Sequence, residues 1–129
     1  MNLVDTCGWL SYLADDRNAS CFANAIEDVP NLLVPTIVCY EAFKKILVER
    51  GEDGALHVVA HMQTAKVVSL DLDISIHAAK ISNESKIPMA DAVIAATAFK
   101  HNATVITLDA HFQTPTLPCS VQFFPQNPG

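Results

Sequence analysis

The sequence predicts an α/β fold, a three-layer α/β/α domain around a mostly parallel, four- to five-stranded sheet. Short segments rich in Val, Leu and Ile alternate with longer segments of helical periodicity, which is the pattern of β-α-β units. Half of the 129 residues are hydrophobic and the mean hydropathy is +0.25, a composition that suits a sheet buried on both faces. We therefore expect one domain at residues 1–124, with a flexible polar tail at residues 125–129.

The first half of the chain is predicted to contain two buried strands and four helices, with capping and turn residues at their ends. In chain order these are a strand at 2–5, a helix at 8–14, a helix from Asn18 or Ser20 to about 28, a strand at 32–34, a helix from the cap Thr36 to 50, and a helix at 53–64. Pro30 and Asn31 predict the turn before the second strand, and Gly51 is expected to end the long helix.

The second half is predicted to contain three strands and two helices. They are a strand at 66–70, a helix from Asp71 or Asp73 to about 85, a helix at 90–101 after Pro88, a strand at 104–107, and an edge strand at 120–124. Both aspartates are interpreted as helix caps because the residues after them have helical spacing. Met89, Phe99 and Phe112 are predicted to lie in the core.

Four acidic residues lie in apolar stretches, where solubility does not explain them: Asp5, Glu41, Asp91 and Asp109. Asp91 is the only charged residue between positions 87 and 99. Burial of a carboxylate is costly unless it is paired, hydrogen-bonded or bound to a metal. Asp5 and Asp109 follow predicted strands, and parallel sheets bind ligands at the carboxyl ends of their strands. Convergence of the four acids at that edge would require a cation.

The other two acids are predicted to reach the same edge from helices. Glu41 lies about a turn and a half into the helix after the second strand, and Asp91 lies in the first turn of the helix that leads into the fourth strand. Mg²⁺ prefers oxygen ligands, usually together with water and substrate phosphates. Two such ions about 3.5–4 Å apart can promote hydrolysis of a phosphodiester. The residue types are therefore those of a metal-dependent phosphodiesterase site.

Each acid also has a structural explanation that involves no metal. Asp91 could stabilise a helix N-terminus, Asp5 could accept backbone hydrogen bonds in a strand-to-helix turn, and Asp109 could form an Asx turn. Glu41 could pair with a neighbouring lysine on a solvent-facing surface. The joint placement of the four acids favours the metal site over these separate explanations.

The net charge of −6, from 8 basic and 14 acidic residues, argues against broad nucleic-acid binding, which needs a basic surface. Bound cations would reverse the field of an acidic cluster, and Lys44 and Lys45 lie close to Glu41 in the sequence. The chain begins without the basic segment of a signal peptide and has no apolar run as long as a membrane span. We therefore expect a cytoplasmic protein.

The cysteines and histidines form no metal-binding pattern. The four cysteines make no C-x-x-C pair, so we expect reduced, buried thiols. His57 and His61 are four residues apart on a predicted helix, but no third ligand is evident, so we expect them on a surface or in a groove. No glycine-rich phosphate-binding motif occurs.

The segments that carry the four acids resemble the PIN-domain family of metal-dependent ribonucleases, in particular the VapC-type toxins of toxin–antitoxin systems. Residues 3–6 resemble the family's opening strand, with its first aspartate and a following hydroxyl residue. Glu41 is similar to the glutamate of the helix after the second strand. Residues 90–98 resemble the third motif, and residues 107–112 resemble the fourth.

Two positions depart from that family pattern. Cys7 stands where serine is commoner, and His111 stands where a second aspartate often follows the fourth acid. Loss of that acid would weaken one metal position, or leave a single ion until substrate arrives. The departure leaves open an alternative, a catalytically weak or inactive PIN-like module that binds a basic peptide. A DNA-directed or structure-specific nuclease is a further alternative.

The resemblance implies a Mg²⁺- or Mn²⁺-dependent endoribonuclease that cleaves single-stranded or structured RNA, such as tRNA or rRNA, by attack of water. It also implies a homodimer and a small antitoxin partner with a basic segment. The catalytic residues it assigns are Asp5, Glu41, Asp91 and Asp109. The three aspartates would bind the metal, and Glu41 would bind it directly or through water and orient the attacking water. Thr6 and Thr107 would hold the carboxylates by hydrogen bonds.

Overall fold

A computed structural model describes residues 1–125 and contains a five-stranded parallel sheet. The strands are β1 Asn2–Val4, β2 Leu32–Pro35, β3 Lys66–Val68, β4 Thr104–Thr107 and β5 Ser120–Phe123. They lie in the order β3-β2-β1-β4-β5, and every neighbouring pair is parallel. Strand β1 is therefore central, and the carboxyl ends of all the strands meet at one edge of the sheet. The predicted α/β fold class is confirmed.

Helices connect the strands and cover the sheet as its outer layers. They are α1 Thr6–Ala14, α2 Ala19–Glu27, α3 Thr36–Met62, α4 Leu72–Ser85 and α5 Met89–Lys100, with short 3-10 helices at Val29–Asn31 and Ala110–Phe112. Every residue of β2 is buried, and so are residues 92–98 of α5. Helix α5 is thus enclosed along most of its length, which explains its almost continuous apolar sequence. Asp91 lies in its first turn, outside the enclosed part.

Several element ends differ from the predicted ones for identifiable reasons. Strand β1 stops at Val4 because Asp5 turns the chain and caps α1, which begins two residues earlier than predicted. Gly51, with φ 82° and ψ −179°, kinks α3 instead of separating two helices by a loop, since glycine accepts positive φ. Thr36 is the first residue of α3 and makes no capping bond. Asp71 does cap α4, accepting a bond from the N–H of Ile74.

The prediction of core residues is correct for Phe112, which is 2% exposed, and wrong for Met89 and Phe99. Met89 begins α5 and is 72% exposed, and Phe99 near its end is 54% exposed. Both lie next to α4: Met89 lines a groove with Leu70, and the ring of Phe99 contacts that of His77 edge-on at 5.0 Å. The exposed Met89 and Phe99 thus lie on the side of α5 that adjoins α4, beside Leu70 and the half-buried His77. We call this area the α4–α5 surface (Leu70, His77, Met89 and Phe99).

The cysteines are all free, but the prediction that they are buried is wrong. Cys7 is exposed, and the other three are half-buried. Within residues 1–125 there is no helix of the length and apolarity that a bilayer crossing needs. Of the tail predicted at 125–129, all but Pro125 lies outside the described residues.

At Gly8, α1 packs closely against both strand β1 and helix α2. A Cβ there would lie 2.6 Å from Cγ1 of Val4 and 2.7 Å from the ring of Phe22. We expect Gly8→Ala to lower the free energy of unfolding by about 1–3 kcal/mol, because an added methyl group overpacks a rigid site. Urea denaturation measures this. Asn24→Ala, on the exposed face of α2, is the control, and equal stability of the two variants would contradict the expectation.

Candidate active site

Asp5 is held at the carboxyl end of the central strand by bonds from two elements. Its side chain accepts a hydrogen bond from the N–H of Gly8 in α1 (2.9 Å) and one from the hydroxyl of Thr107 at the end of β4 (2.5 Å). The residue is only 2% exposed. Burial raises the pKa of Asp5 to about 6, against the effect of the two hydrogen bonds, and the charges of Asp109 and Asp91 raise it further.

Asp109 is positioned by the same threonine and by a tight turn. Thr107 Oγ1 accepts a bond from the N–H of Asp109 at 2.8 Å, while it donates to Asp5. The carboxylate of Asp109 then accepts from the N–H of His111 at 2.9 Å. This is the Asx turn that local sequence predicts, and buried Phe112 anchors it. The turn orients the Asp109 side chain at the sheet edge, so the local structural role and a role in a site coexist.

Asp91 meets the Asp109 turn through His111. Nδ1 of His111 lies 2.9 Å from Oδ2 of Asp91 and 3.1 Å from Oδ1 of Asp109. Burial raises the pKa of Asp91 to about 6, and the charge of Asp109 adds to this, while the bond from His111 lowers it. The hydrogen bond to Asp91 and the charge of Asp109 raise the pKa of His111. The carboxylates of Asp91 and Asp109 thus lie within 4.8 Å of each other, and both contact the imidazole of His111.

Glu41 projects from α3 toward the same edge. Its carboxylate accepts a hydrogen bond of 2.6 Å from the hydroxyl of Thr6, the first residue of α1. Its charge contributes to raising the pKa of Asp91, so the two side chains lie within electrostatic range. The structure does not pair Glu41 with the nearby Lys45, because Lys45 pairs instead with Glu49 at 3.1 Å.

The four acids converge, with different degrees of closeness. Asp91, Asp109 and His111 each offer one ligand atom, and these atoms lie within 4.8 Å of one another. Asp5 and Glu41 lie outside that group of three. Asp5 is joined to Asp109 through Thr107, and Glu41 acts on Asp91 through its charge. The group of three is therefore the part of the site closest to the geometry of a bound ion.

Two grooves meet beside the acidic cluster. The first, of about 690 Å³, runs between α1 and α3 and is lined by residues that include Lys45, Arg50, His57 and His61. The second, of about 580 Å³, reaches Asp109. Cys7, Ser11 and Asp16 line both grooves. A chain lying in the first groove could thus continue to Asp109. The expected groove position of His57 and His61 is confirmed.

Cys7 lies on the wall where these grooves join. Although the residue as a whole is exposed, partial burial of its thiol raises the pKa to about 11, and the charges of Asp5, Asp109, Asp91 and Glu41 raise it further. The thiol is therefore protonated at neutral pH, and it is a poor nucleophile there. Cys7 therefore lies near all four acids.

The residues present fit a divalent cation. The donors are carboxylate oxygens with one imidazole nitrogen, which are ligands of Mg²⁺, Mn²⁺ and related ions. Both Asp5 and Asp91 have pKa values raised to about 6, by burial first and by neighbouring acids in addition. A bound cation would remove that electrostatic penalty. Asp91 and Asp109 are the residues best placed to hold it.

One participant was not predicted from the sequence. His111 was interpreted as a departure that weakens the site, whereas its imidazole lies within the cluster. The sequence feature that could have indicated this role is the position of His111, two residues after Asp109 in a turn-forming segment. An Asx turn directs the backbone N–H of residue 111 at the Asp109 carboxylate. The contact with Asp91, twenty residues away, is a tertiary feature that no local pattern contains.

These features define a class, the parallel α/β domains with a carboxylate cluster at the carboxyl edge of the sheet. In a comparison with protein families, the sequence model of the PIN domain matches residues 3–115 of this chain. The chain belongs to the PIN domain family.

Solved structures share the fold over nearly the whole chain. A toxin–antitoxin complex from Klebsiella pneumoniae superposes with a TM-score of 0.79 at 22% identity, covering 98% of this chain and 100% of that one. VapBC-1 from nontypeable Haemophilus influenzae gives 0.73 at 23%, covering 95% and 96%. VapC20 from Mycobacterium tuberculosis, described as a Sarcin-Ricin loop cleaving toxin, gives 0.73 at 16%, covering 88% and 93%. Comparison with curated proteins gives no match.

The raised pKa of Asp91 leads to an expected pH dependence of stability in the metal-free protein. The folded-state pKa, about 6, exceeds the ordinary value of 3.8, so between these values the folded state binds more protons than the unfolded state. The free energy of unfolding therefore falls as pH rises through this window. Asp91→Asn removes the group, and we expect it to stabilise the protein by about 1–2 kcal/mol near neutral pH, with no gain below about pH 4.

Thermal denaturation in the presence of a chelator measures this effect. The exposed Asp53→Asn of α3 removes a carboxylate outside the cluster and serves as the control. A loss of stability in Asp91→Asn at neutral pH would show that the carboxylate is not under electrostatic penalty.

Proposed function

We propose that this protein is a metal-dependent endoribonuclease and the toxin of a toxin–antitoxin pair. The observation that carries the proposal is the convergence of Asp5, Glu41, Asp91 and Asp109 at one edge of the sheet, with two of them close enough to share an ion. Membership of the PIN domain family supports it. Structures of similar fold that are described as toxin–antitoxin complexes and as an RNA-loop-cleaving toxin support the RNA substrate and the antitoxin partner.

The three aspartates would hold Mg²⁺ or Mn²⁺. When bound, such a cation supplies charge stabilisation at the phosphoryl oxygens and makes a water molecule more acidic. Thr107 keeps the Asp5 carboxylate oriented toward the sheet edge by its hydroxyl, and the Asx turn does the same for Asp109. These bonds fix the carboxylates before substrate arrives, which lowers the cost of organising the site.

Glu41 is the residue we assign to the attacking water. Its carboxylate is fixed on one side by the hydroxyl of Thr6, and it faces the cluster closely enough to raise the pKa of Asp91. A carboxylate at this position can accept a hydrogen bond from water and orient its lone pair toward phosphorus. Hydrolysis by water in this arrangement leaves a 3′-hydroxyl and a 5′-phosphate.

RNA would approach along the groove between α1 and α3. The chain as a whole carries a net charge of −6, and this groove is lined by Lys45 and Arg50 as well as by Asp16 and Glu49, the latter paired with Lys45. Cationic side chains there can contact phosphates, and the groove joins the one that reaches Asp109. A basic segment of a small antitoxin would be attracted by the acidic cluster itself. Such a system would act in the cytoplasm.

A second candidate is a PIN-like module that binds a basic peptide without catalysis. The observation in its favour is His111, whose imidazole already lies between the carboxylates of Asp91 and Asp109. A basic side chain can partly compensate those charges without a metal. Purified protein that cleaves no RNA in Mg²⁺ or Mn²⁺, but binds a basic peptide, would favour this candidate.

The decisive test of the nuclease proposal is Asp91→Asn. Removal of one ligand charge with nearly unchanged size should reduce RNA cleavage by more than about 100-fold, and growth inhibition on induced expression should disappear. The rate is measured by mapping the cleavage fragments of total RNA. The substrate class is measured by comparing cleavage of RNA and DNA of the same sequence. The exposed Asp53→Asn should retain wild-type cleavage. Cleavage by Asp91→Asn at the wild-type rate would contradict the proposal.

Thr107 offers a test of how the site is positioned. Thr107→Val keeps the shape but removes the hydroxyl that bonds both Asp5 and the N–H of Asp109. We expect a reduction of kcat by about 10- to 100-fold. Thr107→Ser restores the hydroxyl and should recover most of the rate. Equal kcat values for the valine and serine variants would show that the hydroxyl has no positioning role.

We also propose a homodimer through the α4–α5 surface. Met89 and Phe99 expose 72% and 54% of their surface there, and apolar side chains grouped on one face are typical of protein contacts. Phe99→Glu should convert a dimer to a monomer, because it would bury a charge in an apolar contact. Light scattering after gel filtration measures the mass. Val48→Glu, at an apolar residue of α3 that is even more exposed (80%), is the control and should leave the dimer intact.

A further inference from the structure

We propose that His111 is a nitrogen ligand of the bound cation, and that the resulting mixed ligand set makes the centre prefer Mn²⁺ or another first-row transition ion to Mg²⁺. The inference deepens the proposed nuclease function and rests on its metal centre. It assigns a role to the residue that departs from the acidic pattern of the rest of the cluster.

The imidazole nitrogen lies at hydrogen-bond distance from both carboxylates, and this spacing also fits adjacent ligands of one ion. Nδ1 lies 2.9 Å from Oδ2 of Asp91 and 3.1 Å from Oδ1 of Asp109. Adjacent ligands of an octahedral ion with bonds of about 2.0–2.1 Å are about 3 Å apart. All three ligand atoms lie within 4.8 Å of one another. An ion could therefore contact all three side chains after small adjustments.

The backbone holds His111 in this place independently of the imidazole contacts. Its N–H donates to Asp109, and the 3-10 helix Ala110–Phe112 is anchored by the buried ring of Phe112. The side chain of His111 is 54% exposed, whereas those of Asp91 and Asp109 are 15% and 25% exposed. The imidazole is thus more exposed to solvent than the two carboxylates that it contacts.

The chemistry of the imidazole distinguishes between ions. Mg²⁺ is a hard cation that binds oxygen, and it is held largely by the charge of carboxylates. Imidazole suits transition ions, whose affinity for nitrogen ligands rises from Mn²⁺ toward Cu²⁺. A histidine in place of a carboxylate therefore removes a negative charge that Mg²⁺ would use and adds a nitrogen that Mn²⁺ can use.

A competing role for His111 makes the opposite prediction. If the imidazole is only an internal counter-ion of Asp91 and Asp109, a cation must displace it, and its removal should strengthen the binding of every divalent ion. If the imidazole is a ligand, its removal should weaken the binding of Mn²⁺. The sign of the change in affinity therefore separates the two roles.

The experiment uses the full chain without RNA. Calorimetry gives the Mn²⁺ and Mg²⁺ affinities of wild type, His111→Ala and His111→Asp, and pulsed electron paramagnetic resonance of the Mn²⁺ form detects nitrogen coupling. We expect His111→Ala to weaken Mn²⁺ binding by at least about tenfold and to lose the nitrogen coupling. His111→Asp should bind Mg²⁺ more tightly relative to Mn²⁺ than wild type does. Tighter or unchanged Mn²⁺ binding by His111→Ala, or no nitrogen coupling in wild type, would overturn the proposal.

Two controls separate this inference from the nuclease proposal. His101→Gln changes a histidine whose pKa is lowered by burial and by Lys66 and Lys100, so it lies beside basic residues and should keep the wild-type nitrogen coupling. Asp91→Asn should weaken the binding of both ions. If Asp91→Asn weakens both ions but wild type shows no nitrogen coupling, only the role of His111 fails. If Asp91→Asn changes neither affinity, the metal centre itself fails, and the proposed function with it.

Discussion

The burial of the Asp5 carboxylate at the end of the central strand is the constraint on which the site depends. An ionised group with 2% exposure is tolerable only with strong partners, and Asp5 finds them in the N–H of Gly8 and the hydroxyl of Thr107. These bonds join α1, β1 and β4 at one point. They leave the pKa of Asp5 raised to about 6, because burial outweighs them. The fold therefore holds negative charge that its own groups compensate only in part, and a divalent cation could supply the remainder.

Different elements position the other three carboxylates at the same edge of the sheet. The Asx turn after β4 places Asp109, the first turn of α5 places Asp91, and Thr6 at the start of α1 orients Glu41. Rigid parts of the fold thus hold groups that repel one another. Such an arrangement costs stability, which is the usual compromise at sites organised for binding and catalysis. The two grooves that share Cys7 lead to Asp109, where an extended ligand could reach the edge of the sheet.

Much of this fold follows from local patterns, whereas the site's contacts do not. Alternating apolar and helical segments predict the strands, and the caps predict details such as the bond from Ile74 to Asp71. The partners of the acids are distant in sequence: Thr6 and Glu41 are 35 residues apart, and Thr107 and Asp5 are 102 apart. Met89 and Phe99 were misplaced because apolar character alone does not tell whether a helix position faces the sheet or solvent. The place of His111 in the cluster does not follow from the sequence, because its contact with Asp91 exists only after β4 and α5 pack together.

The central claim is that the acidic cluster binds a divalent cation in the folded protein. Thermal denaturation during titration with Mn²⁺ and with Mg²⁺ tests it most directly, since a ligand that binds only the folded state must raise Tm. The wild-type Tm should rise with ion concentration through the millimolar range, while that of Asp91→Asn, already higher without metal, should rise much less. A wild-type Tm that neither ion changes, or an equal rise in both proteins, would contradict the claim that these carboxylates form a metal centre.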